Sequence, residues 1–479
     1  MPELSGNDYQ IARFLIERGL GALYLIGFVV AARQFPALAG ERGLEPAPPL
    51  LAATTFWSVP SVFQLRYSDR LLTATAWFGA ALSAAMVLGL PQLAPLPVTM
   101  FAWFSLWALY QSIVNIGGTF YSFGWESLLL EAGFLAIFLG NAAVAPPLLV
   151  ILAFRWLAFR VEFGAGLIKL RGDECWRSLT CMDYHHETQP MPGPLSWYFH
   201  HLPKPLHRLE TLGNFVAQLI LPFGLFAPQP IATIVAALMI GTQLYLVVSG
   251  NYAWLNWVTI VVMTAAIGDW IVSLFGQPVP ASMPAPPAWF ALLVVALAIG
   301  ILILSYRPVR NLLSPNQAMN ASFEPFRLVN TYGAFGSVTR RRYEVVVEGS
   351  DAEAIEVATW REYEFPGKPG DPSRRPPQVA PYHLRLDWLM WFLPISPAYG
   401  QSWFGGFLTR LLEGDPQVLR LLRVNPFPGG PPTFIRARLF EYRYTSWQER
   451  RATGAWWARQ PVGELVPPIR RASREPIGQ

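Results

Sequence analysis

Long apolar windows recur along the first 305 residues, and they constrain the fold more than any other feature of the sequence. An α-helix needs roughly 17–25 apolar residues to cross the hydrocarbon core of a bilayer. Several windows reach that length, and a further window, 50–65, is shorter and contains Pro60. We therefore predict nine or ten membrane-spanning helices. The full-length windows are 19–35, 71–90, 98–116, 125–145, 147–169, 211–227, 229–249, 252–276 and 287–305.

The charge content supports a membrane protein. Only 14% of the residues are charged, whereas a soluble domain carries about 25%. The formal net charge is +5, but the basic residues are scattered and form no block that resembles a nucleic-acid-binding face. We predict no nucleic-acid partner. Arginine, alanine and proline are abundant, and Lys169, Lys204 and Lys368 are the only lysines, which is typical of a GC-rich, bacterial genome.

The sequence pattern changes after about residue 306. The segments 341–349, 353–365 and 433–447 alternate apolar and polar residues with a period of two, as half-buried strands do. We predict a polytopic α-helical membrane bundle over 1–310, followed by a small C-terminal α+β domain with an antiparallel sheet over 311–479. The second domain is predicted to be soluble.

One apolar segment, 154–170, carries several charges. Arg155, Glu162 and Lys169 are spaced seven residues apart, and this spacing keeps them on nearly one helix face. Because an unpaired charge in lipid is costly, we predict that they face the bundle interior. There they would line a polar cavity together with Glu131, which we expect to pair with Arg155. In the alternative interpretation, ion pairs only fix the helix packing and Lys169 extends to the membrane surface.

A polar loop, 170–208, follows this segment and is predicted to lie at the membrane interface. Cys175 and Cys181 are predicted to form a disulfide if the loop faces an oxidising compartment, and to be reduced thiols if it faces the cytoplasm. Adjacent histidines point apart on a regular element and no H-x-H or H-x-x-x-H pair occurs, so no metal is predicted. The other candidate site residues of the loop are Arg171, Asp173, His185, His186, His200 and His201.

The same loop and its surroundings resemble a known family. The stretch 155–214, which includes "GLIKLRGDECWRSLTCMDYHHETQP", is similar to the signature region of lipase maturation factors, as are "FRLVNTYGAFGSVTRRRYEVVVEGSD" (326–351) and "YEFPGKPGDPSRRPPQVAPYHLRLDWLMWF" (363–392). The resemblance covers most of residues 120–447. No P-loop, dinucleotide fingerprint or G-x-S-x-G motif is present, and no cofactor is predicted.

The resemblance implies a function. Animal members of the family are polytopic proteins of the endoplasmic reticulum membrane that help lipases fold and assemble. By resemblance, this chain is a non-catalytic maturation factor in contact with membrane lipid, and it binds client lipases or other secreted proteins through its C-terminal domain. Its membrane would be that of the endoplasmic reticulum, or the inner membrane if the source is bacterial.

Two other functions stay open. The chain could be an integral-membrane enzyme that acts on a lipid or peptide in the polar cavity, with Lys169 or a nearby histidine as base. It could also be a scaffold whose buried charges only hold helices together.

Overall fold

Most of the apolar windows form helices in the computed structural model, which describes residues 5–470. The helices of the first two thirds of the chain are α1 (Gln10–Ala39), α2 (Ala47–Ala53), α3 (Asp69–Leu88), α4 (Leu96–Ile116), α5 (Gly124–Ala136), α6 (Leu148–Arg171), α7 (Glu174–Arg177), α8 (Met182–Thr188), α9 (Ser196–His200), α10 (Lys204–Phe215), α11 (Leu221–Gly224), α12 (Ile231–Ser249), α13 (Leu255–Met263), α14 (Ala288–Leu304) and α15 (Tyr306–Leu313).

Four helical segments are long and apolar enough to cross a membrane: Asn7–Ala39, Asp69–Leu88, Ile231–Ser249 and Ala288–Leu313. A fifth candidate is the bent pair Leu255–Ala266 and Asp269–Phe275, which turns by 93°. The polytopic helical bundle is thus confirmed, but the described residues supply four or five candidate spans and not the nine or ten predicted. Two causes are visible: the window 125–145 contains a helix of only 13 residues, and α6 carries several charges.

The last third of the chain builds an antiparallel sheet, as predicted. The elements of this region are β5 (Arg342–Ser350), β6 (Arg361–Glu362), β7 (Phe434–Tyr444), β8 (Trp457–Arg470), α16 (Arg385–Phe392), α17 (Phe404–Glu413), α18 (Pro416–Leu419) and α19 (Trp447–Thr453). The strand order in the sheet is β6–β5–β7–β8, and every neighbouring pair is antiparallel. Helices α16 and α17 contact strands β5 and β7, respectively.

Two predicted strands match β5 and β7, whereas the alternating segment 353–365 forms a strand only at Arg361–Glu362. Strand β8 was not predicted, because Pro461, Pro467 and Pro468 interrupt its pattern. Proline lacks an N–H donor and is tolerated mainly on edge strands, and β8 is the edge strand of this sheet. The predicted domain 311–479 ends in residues 471–479, which lie outside the described part of the chain.

Short strands tie distant segments together. Strand β1 (Met191–Pro192) of the polar loop pairs with β2 (Gly250–Asn251) after α12, and β3 (Ala321–Ser322) pairs with β4 (Asn330–Thr331). Gly164 on α6 lies directly against the backbone carbonyl of Tyr332, where a Cβ would clash. The segment that leads into the sheet therefore packs closely against α6, and this places the sheet region next to the charged helix.

Candidate functional site

Helix α6 presents its charged side chains on two faces. Arg155 and Arg160 are five residues apart, which places them about 140° apart around the helix axis. Glu131 on α5 faces Arg160 and forms an ion pair with it, and both side chains are buried. The expected pair of Glu131 with Arg155 is therefore wrong, because Arg155 points to a different neighbour.

The Glu131 carboxylate also binds the segment that leads into the sheet. Its Oε2 accepts hydrogen bonds from the backbone N–H and the side-chain amide of Asn330, at 3.0 and 2.9 Å, and from the Tyr332 hydroxyl at 2.8 Å. Arg160 Nη1 donates to the Asn330 carbonyl oxygen at 2.5 Å. Every member of this cluster contacts another member, so the cluster joins α5 and α6 to the C-terminal region.

Arg155 has neutral partners. Its Nε donates to the carbonyl oxygen of Ala265 at 3.1 Å and its Nη1 donates to that of Leu225 at 3.2 Å, while its guanidinium lies over the Tyr9 ring. Carbonyl oxygens at helix ends are acceptors that lack an intrahelical donor. Arg155 therefore holds three chain segments together, away from the other predicted cavity residues.

A second buried ion pair connects the helical region to the sheet region. Glu126 Oε1 on α5 lies 2.8 Å from Arg385 Nη1 on α16, and Tyr110 donates to Glu126 Oε2 at 2.7 Å. Arg385 also donates to the carbonyl oxygen of Phe120 at 2.8 Å, and its guanidinium stacks on the Tyr121 ring. Arg385 was not predicted as a site residue, because nothing in the sequence distinguishes it from the other arginines.

The other two predicted cavity residues, Glu162 and Lys169, do line a cavity, with a volume of about 1130 Å³. Its walls come from α6, α10, α12, α13, α16 and the segment 315–337. Most of these wall residues are apolar or aromatic, including Trp125, Trp388 and Trp391. Glu131 and Arg155 are not among them. The cavity thus lies between the helical bundle and the sheet region, with one pair of buried charges on its α6 wall.

Neutral side chains hold these two charges. Lys169 Nζ donates to Asn214 Oδ1 at 3.0 Å and to Gln218 Oε1 at 2.8 Å. Glu162 Oε1 accepts a hydrogen bond of 2.6 Å from Gln243 Nε2, and Gln243 in turn accepts one of 2.7 Å from Asn256. The result is a polar strip across α6, α10, α12 and α13. The amides of this strip were not predicted, although an amide such as Gln243 inside a candidate span is a detectable signal.

The polar loop is fixed at its beginning. Cys175 and Cys181 form a disulfide, and Asp173 accepts a hydrogen bond of 3.0 Å from the Cys175 N–H. Asp173 also pairs with Arg340 at 2.8 Å, and this arginine lowers the pKa of Asp173 to about 2. Arg171 lies on the cavity wall and donates to Gln317 at 2.9 Å. These contacts hold the loop against the segment before β5.

The histidines of the loop fall into separate environments. His185 lines the cavity and lies 2.9 Å from the Tyr252 hydroxyl, and burial lowers its pKa to about 3, so the ring is neutral. The His201 ring packs against the buried Trp197, with ring centroids 4.2 Å apart and the planes tilted by 32°. His200 lies 3.7 Å from Glu187, and burial lowers its pKa to about 3. The four predicted loop histidines thus do not converge on one site.

A different trio does converge: ligand atoms of His186, His207 and Glu210 lie within 4.8 Å of one another. His207, however, has Nδ1 3.0 Å from Asp183 and Nε2 3.0 Å from the carbonyl oxygen of Phe199. Both ring nitrogens of His207 therefore already have hydrogen-bond partners outside the trio. Burial raises the pKa of Glu210 to about 7. Hydrogen bonds to neighbouring groups therefore explain why these three side chains lie together.

Comparison with known proteins gives matches along nearly the whole chain. A family model described as the lipase maturation factor transmembrane domain matches residues 11–274, and one described as the lipase maturation factor C-terminal domain matches residues 328–467. No solved structure matches the chain.

Individual relatives give the same result. The chain is 40% identical to lipase maturation factor 1 of Bos taurus, over 98% of this chain and 90% of that protein. It is 39% identical to lipase maturation factor 1 of Homo sapiens, over 97% and 89%. It is 28% identical to lipase maturation factor 2 of Homo sapiens, over 96% and 83%.

Proposed function

This chain belongs to the lipase maturation factor family, and we propose that it is a membrane-embedded maturation factor that assists the folding and assembly of client lipases. The observation that carries the proposal is the 40% identity over 98% of the chain, which includes both the helical and the sheet regions. The candidate spans and the family make it an integral membrane protein. The enzyme alternative is less favoured, because the named relatives are maturation factors.

The client binds, in this proposal, to the C-terminal region. Support comes from an aromatic patch formed by Trp447 on α19 and Tyr198 on α9, whose ring centroids are 6.0 Å apart. Trp447 is 48% exposed and Tyr198 is 39% exposed, and both lie outside the candidate spans. Exposed aromatic side chains are frequent anchors of protein–protein interfaces. We name this surface the Trp447 patch.

The location follows from the source of the chain. In a eukaryotic cell we place the protein in the endoplasmic reticulum membrane, and in a bacterium, as the arginine-rich composition indicates, in the inner membrane. Membrane fractionation of the native organism tests this assignment. Recovery of the chain in another membrane would contradict it.

The function is tested by rescue. Cells that lack their own lipase maturation factor 1 receive this chain together with a secreted lipase, and the readout is lipase activity per mass of secreted lipase. The intact chain is expected to restore activity. Removal of residues 311–479 is unsuitable as a test of client binding, because it leaves Glu126 buried without Arg385. No rescue by the well-expressed intact chain would contradict the function.

The patch is tested by a point variant. Trp447→Ala should weaken client capture by about 2 kcal/mol, or about thirtyfold, if Trp447 is an anchor residue. Co-precipitation of the lipase measures this change. Trp57→Ala is the matched control, because Trp57 is 75% exposed and lies in the helical region. Equal client capture by the two variants would contradict the patch while leaving the maturation function intact.

A further inference from the structure

The cavity beside α6 contains a buried cation of an unusual kind. Seven arginine and lysine side chains are buried in the described part of the chain: Arg13, Arg155, Arg160, Lys169, Arg342, Lys368 and Arg385. Arg160, Arg342, Lys368 and Arg385 each have a carboxylate within 4 Å. The other three have none among residues 5–470. Since a buried charge needs compensation, these three require another source of negative charge or strong acceptors.

Two of the three are compensated by the protein backbone. Arg13 donates to the carbonyl oxygens of Asn141 and Val144 at 2.7 and 2.6 Å, and Arg155 donates to two carbonyl oxygens in the same way. Lys169 differs, because it is the one of the three that lines the cavity. An ammonium group has three N–H donors, and two of them are used by Asn214 and Gln218. The third donor of Lys169 has no hydrogen-bond acceptor among the described residues, and Nζ lies 5.1 Å from the centroid of the Trp176 ring.

The acidic side chains on the cavity wall already have donors. Glu162 accepts from Gln243 at 2.6 Å, and Glu210 accepts from Tyr245 and lies 3.2 Å from His186. Glu162 is seven residues before Lys169, a rise of about 10 Å along the helix. The wall therefore offers an anion one buried ammonium group, Lys169, in surroundings that are otherwise mostly apolar. The indole N–H of Trp388 is a second buried donor on this wall and has no partner among the described residues.

The mouth of the cavity reaches the membrane. Leu206 and Leu209 on α10 and Leu238 on α12 line the cavity and are 44%, 62% and 55% exposed. Helix α12 is a candidate span, so Leu238 lies at bilayer depth. Exposed leucines are favourable there because lipid is apolar. A molecule that enters past Leu238 would therefore come from the bilayer.

We propose that this cavity binds one membrane lipid with an anionic head group, either a carboxylate or a phosphate. A head-group oxygen accepts a hydrogen bond from Lys169 Nζ, and the acyl chain lies along the apolar wall between α12 and α16. The volume of about 1130 Å³ exceeds the range of roughly 300–1,000 Å³ that is usual for small-molecule pockets, and so it accommodates a long chain. This inference does not depend on the lipase-related function.

The experiment uses the full-length protein in a non-ionic detergent. The fluorescent fatty acid cis-parinarate is bound first, and its displacement is measured for two anionic lipids, oleate and dioleoyl phosphatidate, and for their neutral counterparts, methyl oleate and dioleoylglycerol. The anions should displace the probe at concentrations about tenfold or more below those of the neutral lipids, since a hydrogen bond to a charged group is worth that factor. The more effective anion identifies the head group.

Variants locate the site. Lys169→Gln should abolish the preference for the anions, whereas Lys169→Arg and the matched wall variant Glu162→Gln should keep it. Leu238→Trp narrows the mouth from an exposed position and should weaken displacement by all four lipids. Equal displacement by anionic and neutral lipids, an unchanged preference in Lys169→Gln, or an unchanged response in Leu238→Trp would overturn the proposal. If Lys169→Gln does not fold, Lys169→Arg still shows whether a cation at position 169 supports the preference for anionic lipids.

Discussion

Two regions with buried charges lie side by side in this protein, and they use those charges differently. In the first region, Glu126 pairs with Arg385 and Glu131 pairs with Arg160, and all four side chains are buried. In the second, Glu162 and Lys169 have neutral amide partners and face a cavity. The difference teaches that a buried charge by itself does not indicate a ligand site. The indication comes from a missing ionic partner together with free space.

The largest expected loss of stability comes from breaking the ion pair between Glu126 and Arg385 in the first region. Arg385→Met leaves the Glu126 carboxylate buried without its ionic partner, and such a loss costs about 3–5 kcal/mol. We expect the free energy of unfolding in detergent to fall by that amount, measured by thermal unfolding and by the yield of monodisperse protein.

The matched control removes both charges. The double variant Glu126→Gln, Arg385→Met has no uncompensated carboxylate, and it should regain a large part of the lost stability. If the double variant is as unstable as Arg385→Met, the ion pair is not the reason for the loss.

A smaller effect is expected in the second region. Lys169→Met removes two hydrogen bonds but leaves no buried charge of opposite sign within 4 Å, so the cost is that of unsatisfied amide acceptors, about 1–3 kcal/mol. The measurement is the same unfolding experiment, in parallel with Arg385→Met. A loss for Lys169→Met that equals or exceeds the loss for Arg385→Met would remove the distinction between the two regions.

The smallest effect concerns a pair outside the buried regions, Asp173 with Arg340. Arg340 is 43% exposed at the side chain, and an exposed pair contributes less than about 1 kcal/mol. Because folding lowers the pKa of Asp173 to about 2, the contribution is present above the unfolded pKa of about 4 and is lost as the pH falls from about 4 to 2.

The measurement compares wild type with Arg340→Gln from pH 5 to pH 2. The stability difference between the two proteins should be constant at the upper end and should shrink toward the lower end of this range. A difference that grows on acidification would contradict the assignment, since it would require a raised pKa for Asp173.

The secondary structure was largely predictable, because local patterns encode it. Span-length apolar windows became α1, α3, α4, α6, α12 and α14, and period-two alternation marked β5 and β7. The number of spans was overestimated, since apolar composition does not reveal where a helix such as α5 breaks. Strand β8 was missed because its prolines are acceptable only at a sheet edge, and edge position is a property of the assembled sheet.

The candidate site was predictable in part. The seven-residue spacing predicts one cavity-lining face for Arg155, Glu162 and Lys169. Glu162 and Lys169 line the cavity, whereas Arg155 does not. The ionic partner of Glu131 could not be predicted from the same spacing. Arg155 and Arg160 both lie on α6, and the sequence does not show which of the two faces Glu131. Asn214, Gln218 and Gln243 were not predicted, although an amide such as Gln243 inside an apolar window is a detectable signal. They carry the hydrogen bonds to the two charges.

The sequence by itself determined a membrane-embedded helical bundle, a C-terminal antiparallel sheet and a family, because hydropathy, alternation and long motifs are local properties of the chain. Only the tertiary structure decided which charged side chains form ion pairs and which, Glu162 and Lys169, face the cavity. Glu126 and Arg385 are 259 positions apart, and their contact depends on how the sheet region packs against α5. Electrostatic partnership depends on distances between atoms after folding, and these distances are set by packing.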